Sequence, residues 1–492
     1  MTVVINTLKP VARAEPADKP APLYVKRKAI YPKRVKGPFR QLKWGLLLVM
    51  LGIYYGVPWI RWARPAPQPQ QAVLVDFLHG RFFLFGLHLW PDEVYFITAL
   101  LVISALSLFL VSALFGRLWC GYACPQTVWT DLFIAVERLF EGDRNARMHL
   151  DAQPWSVEKA LRKGGKHAVW LLVGMATGGA WIFYFHDAPT TFRQFFVGQA
   201  PPTAYIFFWL LTFTTYIFAG TMREQVCTYL CPWPRIQGAM LDKDSLQVTY
   251  RYDRGEPRGA HKKGADWSGR GDCIECTQCV VACPMGIDIR DGLQLECINC
   301  GLCIDACDEV MVKVGRPKGL IAFDTDANVL ARANNQPTRL RLVRPRTIFY
   351  GVALTGVLAL TGYGLATRPT FGLHVVRDRA PLFVRLHDGS IRNGYTLEIA
   401  NRSFERRKLD VIVRGPGDVG LREPGEAGSA TGHIQITAEA DQVTPVRLFA
   451  TLPAAVLPGP LTPIRVTLVD AADGKTVGAA GSVFTSDTAA GR

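Results

Sequence analysis

Five stretches of the chain are apolar for long enough to cross a bilayer as helices, which takes about 20 residues. They are residues 41–60, 94–116, 167–185, 204–222 and 347–367. The first follows a basic stretch and ends in Pro58, Trp59 and Trp62, which suit a membrane interface. The fifth is rich in Gly and Thr (GVALTGVLALTGYG) and is flanked by Arg341, Arg344 and Arg346. After residue 370 the period of the pattern changes from helical to alternating. Short runs such as TLEIA, LDVIVRG, HIQITAE, PVRLFATL and PIRVTLVD are separated by Gly, Pro, Asp and Asn turns. About seven strands over 370–492 fit an all-β immunoglobulin-like sandwich, here without any cysteine to staple it. That tail carries no catalytic constellation and is expected to be a structural or docking module.

The distribution of Lys and Arg orients the spans. Residues 1–40 hold ten: Lys9, Arg13, Lys19, Lys26, Arg27, Lys28, Lys33, Arg34, Lys36 and Arg40. The loop 61–91 holds only Arg61, Arg64 and Arg81, and 187–203 only Arg193. Between them, 117–166 holds eight. In a bacterial inner membrane this alternation predicts a cytoplasmic N-terminus, two sparse outer loops, a cytoplasmic segment 223–346 and a periplasmic tail. The first 40 residues lack the short apolar core and cleavage site of a signal peptide.

Composition narrows the class. Apolar residues make up 49% of the 492 and charged residues 20%, with a formal net charge of +15. That charge would suit a nucleic-acid binder or a membrane protein with basic loops, and the apolar runs decide for the membrane, with no nucleic-acid partner expected. The absence of a Gly-rich dinucleotide fingerprint and of a P-loop argues against bound NAD(P) or ATP.

The 12 cysteines fall in tight clusters between residues 120 and 307, which is metal-ligand spacing rather than a secreted disulfide framework. CIECTQCVVACP (Cys273, Cys276, Cys279, Cys283) and CINCGLCIDAC (Cys297, Cys300, Cys303, Cys307) are both C-x-x-C-x-x-C-x-x-x-C. Three thiolates on a tight loop can wrap a 4Fe-4S cubane, and the fourth cysteine of each run ligates the other cluster. The expected sets are Cys273, Cys276, Cys279 and Cys307 for one cluster, and Cys297, Cys300, Cys303 and Cys283 for the other. A zinc site would not need eight cysteines at this spacing. Asp308 stands where a proline often follows the fourth cysteine.

LWCGYACPQ (Cys120, Cys124) and QVCTYLCPW (Cys227, Cys231) each follow a pair of apolar spans, and matching cysteines are 107 residues apart. Two copies of a two-helix unit ending in C-x-x-x-C-P is the natural reading, although little else in the copies matches. On a helix, residues i and i+4 share a face, so each pair is expected to present two sulfurs together, with the proline breaking the helix after them. Buried inert thiols are the plain alternative. Four converging sulfurs would favour Cu(I) and could also hold zinc or iron, or form a redox disulfide. Met222 and Met240 could add thioethers, though packing is the commoner role. His79, His88, His167 and His186 lie at helix ends or in the outer loop, which suits interface anchoring better than haem. The run RFFLFGLHLW is expected on the outer membrane surface.

The chain thus divides into a basic segment 1–40, a four-helix transmembrane region 41–242, a ferredoxin-like domain 243–340, a fifth transmembrane helix 347–367 and the β domain 370–492. Its fold class is a multidomain membrane protein: an α-helical bundle of about five spans, an inserted α+β ferredoxin-like domain with two 4Fe-4S clusters, and an all-β immunoglobulin-like sandwich. Four features together, RFFLFGLHLWPDE, the paired C-x-x-x-C-P motifs, MGIDIRDGLQLECINCGLCIDACD and IRNGYTLEIANRS, resemble the cbb3-type cytochrome c oxidase accessory proteins, the CcoG/FixG/RdxA family. The resemblance runs from about residue 20 to about residue 485. The C-x-x-x-C-P pairs are shared with NapH-like and NosR-like membrane polyferredoxins; the 13-residue link between the cluster runs and the β tail point to the oxidase group. The resemblance implies a cupric reductase for oxidase assembly. Electrons from a cytoplasmic donor would enter at Cys273–Cys307 and reach Cu(II) near Cys120, Cys124, Cys227 and Cys231. A copper-exporting P-type ATPase and the oxidase assembly proteins would be its partners. A quinol-linked carrier and a non-enzymatic, redox-sensing assembly factor are the competing classes.

Overall fold

The computed structural model describes residues 29–65, 68–261, 264, 266–425 and 431–487. Of the basic N-terminal segment, Lys9, Arg13, Lys19, Lys26, Arg27 and Lys28 lie outside the described residues. The chain forms two compact units, Met1–Ala63 with Pro69–Val357 and Arg64–Gln68 with Leu358–Arg492.

Among the described residues, four helices are long and apolar enough to cross a membrane: Pro38–Trp59, Pro91–Phe115, Pro202–Met222 and Pro345–Ala366. Their regular helical parts are α1 (Pro38–Gly56), α2 (Tyr95–Phe115), α8 (Pro202–Thr215) and α14 (Pro345–Ala366). Proline opens α1, α8 and α14 at the first helical position, where its preset φ suits the helix and its missing N–H costs nothing. Between α2 and α8 run α3 (Leu118–Tyr122), α4 (Pro125–Glu141), α5 (Arg144–Ala152), α6 (Val157–Ile182) and α7 (Ala188–Phe196).

The pattern predicts five spans, and the difference is α6. Its first turns carry Lys159, Arg162, Lys163 and Lys166, so the apolar part, 168–182, is shorter than the about 20 residues that a span needs. That part is glycine-rich because it faces a helix. A Cβ on Gly178 would stand 2.5 Å from the Phe208 carbonyl oxygen of α8, and one on Gly174 2.9 Å from that of Thr212. Small residues four apart let membrane helices approach this closely. The basic turns of α6 meet acids of α4 in a buried ionic layer: Lys166 lies 2.8 Å from Glu141, and Glu137 lies 2.7 Å from Arg147 and 2.6 Å from Arg223.

Outside the helices, β1 (Val73–Asp76), β2 (Arg81–Leu84) and β3 (Leu87–Leu89) form an antiparallel meander. The run RFFLFGLHLW supplies its second and third strands, with Phe83 and Leu89 buried. The cysteine-rich segment follows α9 (Trp233–Met240). Two antiparallel strands, β4 (Gln247–Tyr250) and β5 (Ile321–Asp324), bracket it. Between them lie α10 (Tyr252–Gly255), α11 (Gln278–Ala282) and α12 (Leu302–Lys313), and α13 (Asp326–Ala333) follows. These strands and helices pack round Val248, Ile289, Ile304, Met311 and Ile321.

The second unit is a two-sheet β sandwich. One sheet has the order β10 (Gly420–Arg422), β12 (Gln442–Pro453), β8 (Ser390–Asn401), β6 (Phe371–Arg377), with β7 (Val384–Arg385) also on β8. The other runs β11 (His433–Ala438), β9 (Arg407–Arg414), β13 (Leu461–Asp470), β14 (Thr476–Thr485). All five quoted alternating runs are strands here. The expected seven become nine because β7 and β10 are too short to show alternation.

The α6–α8 contact gives a direct test. Gly178→Val should cost about 1–3 kcal/mol through overpacking against the α8 backbone, read as a lower unfolding temperature in detergent. Gly179→Ala should be tolerated, since its nearest neighbour is a Phe208 ring atom at 3.8 Å.

Candidate metal centres

The two long cysteine runs follow one backbone path. Glu275 and Thr277 in the first and Asn299 and Gly301 in the second have positive φ (55°, 54°, 53° and 72°), at matching places in each run. Left-handed residues are costly for side chains other than glycine, so their repetition marks a loop shape that the sulfurs impose. Thr277 and Gly301 then stand just before α11 and α12, whose first turns carry Cys279 and Cys303.

The result is two adjacent cavities. Cys273, Cys276, Cys279 and Cys307 line one, closed by Tyr250 and Met311. Cys283, Cys297, Cys300 and Cys303 line the other, with Cys279 at its edge. The fourth cysteine of each run therefore faces the other run's cavity. Burial pushes the Cys279 and Cys297 thiols up to about 11 and Cys283 up to about 12. Sulfurs so placed ionise only against a cationic centre, and four soft donors in a dry, apolar cavity are the donor set that an iron–sulfur cubane takes.

The C-x-x-x-C-P motifs differ from the helical expectation. Cys120 is in α3, but Cys124 lies beyond it in extended conformation (φ −63°, ψ 127°). Cys227 sits in a π-helical turn, Val226–Leu230, and Cys231 is again extended (φ −81°, ψ 120°). The cause is the following proline, which disfavours the helical region for the residue before it. Each pair therefore does not share a helix face. What the copies do share is backbone. The Cys124 N–H donates to Trp119 O at 2.9 Å and the Cys231 N–H to Val226 O at 2.8 Å, positions again 107 apart. Four residues before the first cysteine of each copy the helix breaks at a left-handed residue, Gly116 (φ 61°) and Arg223 (φ 45°). Arg223 holds that conformation with its guanidinium 2.6 Å from Glu137 and its Nε 2.7 Å from Gly220 O. The likeness between the two motifs therefore extends from the cysteine spacing to the helix break and to one backbone hydrogen bond of each turn.

These breaks turn all four cysteines onto one cavity of about 350 Å³, walled by Trp119, Trp233, Val226 and Leu108. Burial pushes the Cys120 and Cys227 thiols up to about 12, with the neighbouring cysteines adding to the shift. The Cys120 thiol donates to Gln237 Oε1 at 3.0 Å, and Gln237 Nε2 donates to Ser112 Oγ at 3.1 Å. Neither Met222 nor Met240 lines the cavity. His79 pairs with Asp76 at 2.6 Å and His167 with the Tyr216 hydroxyl at 2.8 Å. Among the described residues, no three His, Cys, Asp or Glu side chains are gathered as closely as one metal ion would hold them; the cysteines stand round their cavities.

The thiol cavity and the second cysteine-run cavity meet on one segment. Ile298 lines both, and Glu296 and Ile298, either side of Cys297, line the thiol cavity. The Tyr122 hydroxyl donates to Cys300 O at 3.1 Å. Arg117, 4% exposed, donates to the carbonyls of Leu295, Cys297 (3.4 Å) and Pro234 (2.7 Å). Sequence reasoning missed Arg117 and Gln237. The only available signal for Arg117 was its place beside the helix break of the first copy.

Residues 222–326 match the 4Fe-4S dicluster domain family, 97–142 a 4Fe-4S binding domain family, and 361–487 the family described as the Ig-like fold at the C-terminus of FixG. The chain is similar to the nitrogen fixation protein FixG of Rhizobium meliloti, at 50% identity over 464 residues, 88% of each chain. Protein RdxA of Cereibacter sphaeroides is 49% identical over 455 residues, 92% of this chain and 95% of its own length. Protein RdxB of the same organism is 46% identical over 467 residues, 94% and 97%. These matches make the chain a membrane iron–sulfur protein of electron transport that binds 4Fe-4S clusters.

The tight seat of the second cysteine loop is testable. A Cβ on Gly121 would meet Ile298 O at 2.5 Å and Cys300 Cα at 3.1 Å. Gly121→Ala should push that loop away and lower iron from about eight to about four atoms per chain, read by iron and labile-sulfide analysis.

Proposed function

The chain belongs to the FixG family of membrane iron–sulfur proteins, and from that premise we propose that it reduces Cu(II) to Cu(I) for assembly of a copper-containing cbb3-type oxidase. The observation that carries the reading is the thiol cavity: four cysteines from both copies of the repeat line one cavity, against the loop that bears Cys297. In this reading Cys273, Cys276, Cys279 and Cys307 hold one cluster, and Cys283, Cys297, Cys300 and Cys303 the other. Bound clusters supply electrons one at a time at low potential. The residues of the chain do the rest. Cys120, Cys124, Cys227 and Cys231 offer soft thiolates that prefer Cu(I) to Cu(II), so binding favours the product of Cu(II) + e⁻ → Cu(I). Trp119, Trp233 and Leu108 make the wall of the site largely apolar. Before copper binds, Gln237 accepts from the Cys120 thiol and fixes its rotamer; the thiol would give up that proton to bind copper.

The Lys/Arg alternation supports a cytoplasmic cluster domain and a periplasmic β domain. A cytoplasmic one-electron donor, a copper-exporting P-type ATPase and oxidase assembly proteins are the proposed partners. A second reading, a quinol-linked carrier, draws on the cavity itself, which is mostly apolar and wider than one ion needs.

Replacing Cys120 with Cys124, or Cys227 with Cys231, by Ala should abolish Cu(I) binding and steady-state Cu(II) reduction to a similar degree, because either pair alone is half a site. Iron content should stay at the wild-type value in both, whereas Cys276→Ala should lose or convert one cluster. Reduction of a quinone analogue by variants that no longer reduce Cu(II) would favour the second reading. For sidedness, a periplasm-active reporter fused after Arg492 should be active and one fused near Lys318 silent.

A further inference from the structure

Arg117 is a buried guanidinium with three carbonyl partners and no carboxylate: among the described residues it makes no ion pair, and its Nε has no hydrogen-bond partner. A buried cation left so is expensive unless negative charge lies close by. The groups within Coulombic reach are Cys120, Cys297 and Glu296. One belongs to the thiol cavity, one to the second cluster cavity, and one lies on the segment between them. Its fork also joins three pieces of chain: its own turn before α3, the loop Leu295–Cys297, and Pro234 just after Cys231.

The backbone does not require an arginine there. The equivalent position of the second copy, 107 residues on, is Glu224, which follows the same kind of helix break and lies near Cys227. The duplicated turn therefore accepts either charge, and the cation is found on the copy that meets the cluster loop.

We propose that Arg117 is the positioning residue that couples the two centres: its charge favours the added electron on the cluster beside Cys297, and its fork holds that loop against the thiol cavity. The proposal rests on the ligand set given above for that cluster and is independent of copper. A positive charge facing a cluster's sulfurs stabilises the reduced, more negative state and raises its reduction potential.

The test is a redox titration of the full chain in detergent, without copper, followed by electron paramagnetic resonance. Arg117→Gln should move one of the two cluster midpoints to lower potential and leave the other in place. Arg117→Lys, which keeps the charge, should leave both midpoints near wild type. Glu296→Gln should move the same midpoint as Arg117→Gln, in the opposite direction. Unchanged midpoints in Arg117→Gln at full iron content would overturn the proposal. Should Arg117→Gln lose iron, the lysine variant decides. Full iron with native midpoints supports the charge role, and equal iron loss overturns it. Failure of the copper reading would appear only in the copper assays and would leave these midpoint shifts intact.

Discussion

The arrangement depends on one steric constraint, the absence of a side chain at Gly121. The turn between Cys120 and Cys124 lies so close to the second cysteine loop that even a methyl group at Gly121 would overlap the Ile298 carbonyl oxygen. Because of that approach, Ile298 lines both the cluster cavity and the thiol cavity, and the Tyr122 hydroxyl reaches Cys300 O. Two cysteine-lined cavities built from distant stretches of sequence thereby share a wall.

Around that contact the fold supplies fixed charge. Asp305, on α12 between Cys303 and Cys307, accepts from the Arg40 N–H at 2.8 Å and the Phe39 N–H at 3.4 Å, so the cluster helix caps the first membrane helix at its positive end. The Arg40 guanidinium and Lys43 both pair with Asp131 of α4, at 3.1 and 3.2 Å. α4 itself begins at Pro125, directly after Cys124. The cluster domain is thus tied to the same helices that carry the thiols, by hydrogen bonds and ion pairs that are buried and therefore geometrically demanding.

Much of this was legible in the sequence, and the parts that were not have physical reasons. The cysteine runs anticipated two cavities, each lined by three cysteines of one run and the fourth of the other, because the spacing of thiols on a loop largely decides where they can converge. The four-residue spacing of Cys120 and Cys124 read as a shared helix face and was not one. The conformational effect of Pro125 and Pro232 on the preceding cysteine outweighs helical periodicity. The repeat was visible in the paired C-x-x-x-C-P motifs and their spacing of 107 but in little else, since the copies exchange Gly116 for Arg223 and Arg117 for Glu224. In α6 the apolar run 167–185 read as a full span, but the first turns of the helix carry Lys159, Arg162, Lys163 and Lys166, and Lys163 and Lys166 pair with Glu141 of α4 rather than face lipid. Arg117 could not be singled out among basic residues, because its partners are carbonyls of a loop that is distant in sequence.

The central claim is that electrons held in the cluster domain leave through the four-thiol cavity. The most direct measurement is a single-turnover experiment on the full chain in detergent. The clusters are reduced anaerobically, excess reductant is removed, Cu(II) is mixed in, and recovery of the cluster absorbance is followed with a Cu(I) chelator present. The account predicts that both clusters reoxidise with one Cu(I) formed per electron lost. It also predicts that a variant with Ala at Cys120, Cys124, Cys227 and Cys231 keeps its clusters reduced under the same conditions. Reoxidation of that variant at the wild-type rate would contradict the account, since copper would then be taking electrons from the clusters directly.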